Sequence, residues 1–313
     1  MKISAGTAVV LISAVIASLG VHSASGSSNY KCKNPSCDIN AIGHRTFFDG
    51  PSVGNWYSIE KEKELGAKHA ATVEKEVEIL KDSAVADYVD RVAQRIAQNS
   101  DADIPITVRI IRRGDVGAFT LFGGHLYLTT GLLLKLHSEG ELASVLARGI
   151  AHTAMHSVAR LQTREVLLET AGTPMIGIDG LPRAPGANDF VPRLGELKFQ
   201  RDFELEADYF GIQYVYKSGY DTECFLNAVQ TVWTPGQRKA SIKAFDPFPP
   251  LADRMKMLHQ EIDDILPKVP GAAAVSTPEF DEFIGRLRQI VPETIPVEDD
   301  QPKLVRHDSV AAN

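Results

Sequence analysis

The chain has 313 residues, of which 44% are hydrophobic, so it is long enough to bury a large core. It contains no interior low-complexity linker and no repeat of solenoid period, which favours one principal domain with terminal extensions over two domains. The net charge of −7 and the lack of a Lys/Arg cluster exclude a nucleic-acid-binding surface.

The first 25 residues have the pattern of an export signal. Lys2 provides a short positive region, an uncharged apolar run covers 5–21, and small residues follow at 23–25. This pattern predicts a cleaved signal peptide over 1–25 and a protein of the periplasm or cell envelope. A retained anchor, which would keep the chain near the membrane, is the alternative, because the apolar run is just long enough to cross a bilayer.

Two of the three cysteines lie close together in an N-terminal segment over 26–55. Cys32 and Cys37 frame a short loop, and in an oxidising compartment we expect them to form a disulfide. A ring this small stabilises the fold by at most about 2 kcal/mol, so the bond would mainly fix the N-terminal segment. A two-cysteine zinc knuckle is the alternative, although no second cysteine pair completes it.

The first half of a domain predicted over 56–290 mixes helical and strand patterns. A charged amphipathic helix is predicted over 56–82, and a second helix begins near Ser83. Apolar and polar residues then alternate over 106–110, as in a half-buried strand. Residues 118–130 contain Gly123-Gly124, which predicts a turn leading into another strand.

The second half is predicted to be helical. Ser138 and Glu141 form a capping box at the start of a long central helix whose apolar stripe continues to Val158. The fold class is therefore α+β, mostly helical, with a small β-sheet. The remaining predictions are a Gly- and Pro-rich loop over 172–196, a helix over 203–217 ending at Gly219, helices over 254–265 and 280–290, and a flexible acidic tail over 291–313.

Two pairs of polar residues with helical spacing are candidates for a metal site. His152 and His156 are four residues apart in the central helix, and Glu204 and Asp208 are four apart in a later helix. Residues at this spacing share a helix face, and two histidines with a carboxylate are a common zinc ligand set. Ordinary packing histidines have the same spacing, so this pattern alone leaves the metal site open.

Several segments resemble the gluzincin-type zinc metallopeptidases related to the CAAX prenyl proteases, with their HtpX-type and periplasmic relatives. Residues 141–152 read E-L-A-S-V-L-A-R-G-I-A-H, where that family has E-L-A-x-V-x-A-H-E-I-A-H. Further matches in the same order are Ala118-Phe119 with Gly123-Gly124, the F-E-L-E-A-D stretch over 203–208, Gly219-Tyr220-Asp221, and Pro249-Pro250 with Asp253-Arg254. The resemblance covers 56–290 and implies a zincin-like metallopeptidase domain with a central active-site helix.

The resemblance also shows which active-site residues differ. The first zinc histidine of the family falls on Arg148, and its general-base glutamate falls on Gly149, so no catalytic residue is expected at that position. Of the ligands, His152 and Glu204 remain, with Asp208 as the expected residue behind them. Further differences are Gly117 for an asparagine, Phe122 for a proline, and Phe248 for a histidine.

These differences weaken the case for hydrolysis. Loss of a general base typically reduces a rate by about 10²–10⁴. Arg148 stays protonated and has no lone pair for a metal, but it is well suited to an ion pair with Glu204 or Asp208. We therefore expect zinc to be bound weakly or not at all. A rearranged metal site of His152, His156 and Glu204 is the alternative. If no such site forms, we expect His156 to be exposed or to pack in the core.

Three functions remain open at this point. The first is an exported pseudopeptidase that binds extended or unfolded peptides, as a chaperone-like envelope factor, in a cleft beside Gly124, His125 and Tyr127. The second is an active zinc metalloendopeptidase that uses the rearranged site. The third is a structural envelope protein whose cleft is closed by Arg148 and Phe248.

Overall fold

Helices and one small sheet make up the computed structural model, which describes residues 35–47, 54–170, 175–176, 182–183, 194–233, 249–267 and 273–291. All of these residues lie within one unit, Cys32–Asn313. The predicted signal peptide, Cys32, Phe248 and all but Val291 of the predicted tail lie outside the described residues. None of the described helices is long and apolar enough to cross a membrane.

The described elements follow one another in a mixed order. The helices are α1 Ile59–Glu76, α2 Ser83–Ala97, α3 Thr130–Leu133, α4 Glu139–Ala154, α5 Ser157–Thr170, α6 Leu194–Lys217, α7 Glu223–Trp233, α8 Leu251–Asp264 and α9 Pro278–Ile290. The strands are β1 Thr107–Ile111, β2 Ala118–Leu121, β3 His125–Thr129, β4 Met175–Ile176 and β5 Pro182–Arg183. The α+β, mostly helical class predicted from the sequence is confirmed.

The three-stranded sheet has the order β1-β3-β2, so β3 is its central strand. β3 runs parallel to β1 and antiparallel to β2. Successive side chains of a strand point to opposite faces. Leu126 and Leu128 accordingly pack in the main core, whereas Tyr127 packs with Ala70 of α1 in a smaller cluster.

The central helix α4 is buried along almost its whole length. Fourteen of its sixteen residues are buried, and the two exceptions are Gly149 and His152. The predicted cap is present in part: the Ser138 hydroxyl accepts a hydrogen bond from the Glu141 N–H at 3.1 Å. The Glu141 carboxylate, however, accepts from the N–H of His137 at 2.8 Å rather than from that of Ser138.

The central helix does not continue to Val158, as the apolar stripe had suggested. α4 ends at Ala154, and α5 begins at Ser157. Between them His156 has a φ of +50°, in the left-handed region, which interrupts the helical hydrogen-bond ladder. The residues before and after this junction therefore belong to two separate helices.

The long helix α6 ends as the sequence predicted. Gly219 has a φ of +82°, and its N–H donates to the Tyr216 carbonyl at 3.0 Å. The Tyr220 N–H donates to the Val215 carbonyl at 3.1 Å, which completes a Schellman motif. The start of α6 was predicted too late, because the helix already begins at Leu194 inside the expected loop.

Candidate functional site

A pocket of about 330 Å³ lies between β2 and helices α4, α5 and α6. Arg148, Gly149 and His152 of α4 contribute to it, and Phe203 and Glu204 of α6 lie on another side. Apolar residues of the strands and of α4 and α5 also line it: Ala118, Phe119, Leu126, Leu128, Val145, Val158 and Leu161. The two helical segments that the sequence singled out thus meet at one pocket.

The Arg148 guanidinium contacts two acidic side chains of α6, Glu204 and Asp208. Its Nη2 contacts Glu204 Oε2, and its Nε donates to Asp208 Oδ1 at 2.9 Å. The Arg148 side chain is only 8% exposed, and that of Asp208 is fully buried. The structure therefore brings together three of the residues singled out from the sequence, as a buried ionic cluster.

A second arginine completes this cluster from α8. Arg254 Nε donates to Asp208 Oδ2 at 2.6 Å, and Arg254 Nη2 donates to Oδ1 at 2.8 Å. Burial alone would raise the pKa of Asp208, but the charges of Arg254 and then Arg148 outweigh it and hold the pKa below its ordinary value. In the sequence, Arg254 was recognised only as one of the matches to the family, without a role in the site. Its spacing from Leu258 and Glu261, with which it shares the buried face of α8, could have indicated that it is buried.

His152 lies beside this cluster but is not part of its ion pairs. Its Nε2 is 3.8 Å from Glu204 Oε1. Burial and the nearby charges of Arg148 and Arg254, partly opposed by Asp208, lower the pKa of His152 to about 3. The imidazole is therefore neutral at physiological pH and carries no charge into the pocket.

His156 pairs with residues other than His152 and Glu204, with which the alternative rearranged metal site would combine it. Its Nδ1 lies 3.0 Å from Glu62 Oε1, and its Nε2 lies 3.7 Å from Asp103 Oδ1. The break between α4 and α5 turns this residue away from the face that carries His152. The side chain is buried rather than exposed, with 4% of its surface accessible.

Gly149 leaves no proton acceptor at the position that the family gives to its general base. The space above it is occupied by Leu126, since a Cβ added to Gly149 would lie 2.7 Å from Leu126 Cδ2. The sequence predicted the missing base, but nothing in it indicated that a leucine of β3 packs at this point.

The residues expected to line a peptide cleft are placed differently from the prediction. β3 is paired on both sides, so it has no free edge for strand addition. The His125 Nδ1 is hydrogen bonded to Thr107 Oγ1 at 2.9 Å, across to β1. Tyr127 contributes to the pocket wall, but its ring is buried against Phe119 and its hydroxyl donates to Glu74. Among the described residues, β2 is the strand beside the pocket whose outer edge is unpaired.

Two further residues of this region belong to the turn rather than to the cleft. Gly124 has a φ of +77°, and a Cβ there would lie 2.4 Å from the Pro105 carbonyl oxygen, so the turn requires glycine. Phe122 is buried and makes edge-to-face contacts with Tyr57 and His69. Neither residue obstructs the pocket.

The residues at the pocket do not fit a zinc ion. A zinc site in a hydrolase uses three protein ligands and one open position, and among its described lining residues the pocket offers only His152 and Glu204. Glu204 is already in contact with the Arg148 guanidinium. In the part of the chain that the structure describes, no group of three His, Cys, Asp or Glu side chains is arranged to hold a metal ion.

Cys37 is buried and disulfide-bonded, and its expected partner Cys32 lies outside the described residues.

A buried central helix, a small sheet beside it, and a second helix that presents Glu204 and Asp208 define a zincin-like metallopeptidase domain. The sequence model of peptidase family M48 matches residues 83–262, which is more than half of the chain. The chain belongs to this family, and the resemblance found in the sequence is confirmed.

Several characterised relatives are similar to part of this chain. The beta-barrel assembly-enhancing protease of Escherichia coli K12 is 26% identical over 188 residues, which are 56% of this chain and 38% of that protein. The metalloprotease YcaL of the same strain is 23% identical over 58% of this chain and 72% of YcaL. The mitochondrial metalloendopeptidase OMA1 of Schizosaccharomyces pombe is 31% identical over 47% of this chain and 42% of OMA1. The chain spans about two fifths of the length of the beta-barrel assembly-enhancing proteases that it matches.

Proposed function

We propose that this M48 protein binds extended peptide segments and does not hydrolyse them. The observation that carries the proposal is the pair Gly149 and Leu126. The position of the general base holds no side chain, and a leucine of β3 packs over it, while the pocket beside it stays open. Without a group to take a proton from water, a bound peptide bond is not attacked at a useful rate.

The outer edge of β2 supports peptide binding without a metal. Among the described residues β2 pairs with β3 alone. The Thr129 N–H donates to the Gly117 carbonyl, and ladder bonds recur at every second residue pair of an antiparallel ladder. The backbone groups of Ala118 and Thr120 therefore face outward, where an added strand would find them.

The relatives suggest what the bound segments belong to. Several of them are named for enhancing beta-barrel assembly. We extend that association to this chain: its clients are unassembled β-proteins, whose unpaired strands present the backbone groups that the β2 edge needs. In this proposal the protein is a chaperone-like factor of the cell envelope.

An envelope location is part of the proposal. The support is the positive and apolar pattern of 1–25 together with a disulfide at Cys37, since disulfides persist in oxidising compartments. Mass spectrometry of the protein from cell fractions under non-reducing conditions tests both points. We expect an N-terminus near residue 26 and the mass of the oxidised Cys32–Cys37 form. Free thiols at both positions in the native protein would contradict the disulfide.

Peptide binding is tested with a fluorescent extended peptide and with casein as a substrate. We expect the peptide to bind and both to remain intact over hours. Thr120→Pro removes an outward N–H of β2 and should weaken binding by about tenfold, as expected for the loss of one or two hydrogen bonds. The matched variant Thr120→Ala keeps the N–H and should bind as the wild type does.

Two results would refute the proposal. One is casein cleavage that a chelator stops and that His152→Ala abolishes. The other is equal peptide affinity of Thr120→Pro and Thr120→Ala, which would place the bound peptide away from the β2 edge.

A further inference from the structure

Glu204 and Asp208 of α6 face a permanent positive charge instead of a space for a cation. Glu204 Oε2 contacts Arg148 Nη2, and Asp208 Oδ1 is 2.9 Å from Arg148 Nε. In the M48 resemblance Arg148 stands where the first zinc histidine belongs. We infer that the Arg148 guanidinium is a built-in substitute for the metal ion, which neutralises Glu204 and Asp208 and joins α4 to α6 without any metal.

Among the described residues, the charges of the cluster balance. Two carboxylates, Glu204 and Asp208, face two guanidinium groups, Arg148 and Arg254. His152 lies beside them, with its Nε2 3.8 Å from Glu204 Oε1. A zinc ion placed here would add two positive charges to a neutral buried cluster, and the arginines cannot lose their protons to compensate.

The position of Arg148 also makes it a mechanical link between the helices. A Cβ at Gly211 of α6 would lie 3.3 Å from the Arg148 Cα, so the two helix backbones pass close to each other at this residue. The guanidinium extends from this crossing along α6 to residues four apart, Glu204 and Asp208. Removing one partner of a buried ion pair strongly destabilises the folded protein, because the remaining buried charge is no longer compensated.

This inference goes beyond the proposed function and does not depend on it. The proposed function rests on Gly149 and the β2 edge, whereas the substitution of the metal rests on Arg148. A protein that binds peptides but also needs zinc would refute only the inference. A protein without zinc that fails to bind peptides would refute only the proposed function.

The experiment measures zinc content and thermal unfolding of the mature chain, purified without a histidine tag. Four proteins are compared: wild type, Arg148→His, Arg148→Met and Arg109→Met. The last is a control, because Arg109 forms an exposed ion pair with Glu74 in the same domain. Zinc is titrated against a chromogenic chelator, and Tm is recorded in excess zinc and in EDTA.

We expect the wild type to hold no stoichiometric zinc and to have the same Tm in zinc and in EDTA. Arg148→Met should lower Tm by several degrees more than Arg109→Met, and zinc should not restore it. Arg148→His should bind one zinc and show a Tm that rises with zinc concentration, because a ligand specific for the folded state stabilises it by mass action.

The inference is overturned if the wild type copurifies with one zinc per chain or loses stability in EDTA. It is also overturned if Arg148→Met is as stable as Arg109→Met, since the positive charge would then not be needed. These two measurements decide the question even if Arg148→His does not fold.

Discussion

At Gly149 the backbone of α4 comes so close to β3 that any larger side chain meets Leu126. A Cβ would lie 2.7 Å from Leu126 Cδ2 and 3.2 Å from Thr120 Oγ1. Leu126 is 3% exposed and belongs to the main core, so a shift that admits a Cβ at position 149 disturbs core contacts. Glycine normally weakens a helix interior, but here the packing of helix on strand requires it.

Gly149→Ala is expected to destabilise the protein in spite of the better helix propensity of alanine. Overpacking a core costs about 1–3 kcal/mol, which exceeds the propensity gain of about 1 kcal/mol. The free energy of unfolding, measured with urea, should fall by about 1 kcal/mol or more. Gly285→Ala in α9 is the control, because a Cβ there meets nothing within 4 Å, and it should raise stability instead. A gain of equal size in both variants would show that Leu126 does not restrict position 149.

Sequence spacing located single residues only where the helix is regular. Arg148 and His152 are one turn apart in α4, and both lie at the pocket as that spacing predicts. The same rule placed His156 on this face as well, but it assumed that the helix continues past Ala154. The role of Leu126 was not recognised from the sequence. Its contact with Gly149 joins β3 to α4, and the residue spacing within each segment does not indicate that the two segments meet.

At the level of helices and strands, the boundaries with local polar signals were predicted best. Ser138 marks the start of α4, and Gly219 follows the end of α6, as the cap residues indicate. β2 was predicted as part of a turn. Its four residues lie beside Gly123-Gly124, and so short a segment shows no clear alternation of apolar and polar residues. α7 was not predicted, and its position depends on burial against other helices rather than on a capping signal.

The junction between α4 and α5 is held by the buried pair His156 and Glu62, and we expect it to depend on pH. Burial lowers the pKa of His156, but hydrogen bonds to Asp103 and Glu62 outweigh it and raise the pKa to about 9. The folded-state pKa thus exceeds the ordinary value of about 6.5. The stabilisation is complete below about pH 6.5 and is lost as the pH rises through about 9.

His156→Asn keeps a residue type that tolerates a positive φ but that cannot be protonated. The difference in free energy of unfolding between wild type and variant should be larger at pH 6 than at pH 10, by at most about 3 kcal/mol. His44→Asn, at an exposed position, is expected to follow the wild-type pH curve. A difference for His156→Asn that stays constant from pH 6 to pH 10 would mean that protonated His156 does not hold the junction.

Across the whole molecule, a second buried network ties the N-terminal segment to the helices. Arg45 Nη2 is 2.6 Å from Asp101 Oδ2, and Arg45 Nη1 donates to Gln213 Oε1 at 2.8 Å. Tyr214 donates to the same Asp101 oxygen, and Gln213 donates to Glu261 at 2.8 Å. Burial raises the pKa of Glu261 well above its ordinary value, although the Gln213 hydrogen bond opposes this shift.

The partners of Arg45 come from distant parts of the sequence, so this network could not be predicted from local sequence patterns. Asp101 is 56 residues away, and Gln213 is 168 residues away. Local patterns of charge and periodicity report neighbours within a few turns, whereas these contacts arise only when the loop after α2 and helix α6 pack against the segment. Through Arg45, residues 35–47 therefore pack against the loop after α2 and against helix α6.

Arg45→Met is expected to destabilise the entire fold in one transition. The substitution retains the apolar stem but leaves the Asp101 carboxylate without its ion-pair partner, in a place where its side chain is fully buried. Breaking a buried pair in this way costs about 3–5 kcal/mol.

Arg286→Met removes an exposed arginine from its pair with Asp82 and should cost no more than about 1 kcal/mol. Urea unfolding followed by circular dichroism and by tryptophan fluorescence should give coincident curves for both variants. If Arg45→Met instead shows an early fluorescence step that leaves the helical signal intact, the N-terminal segment unfolds on its own and is not integral to the domain.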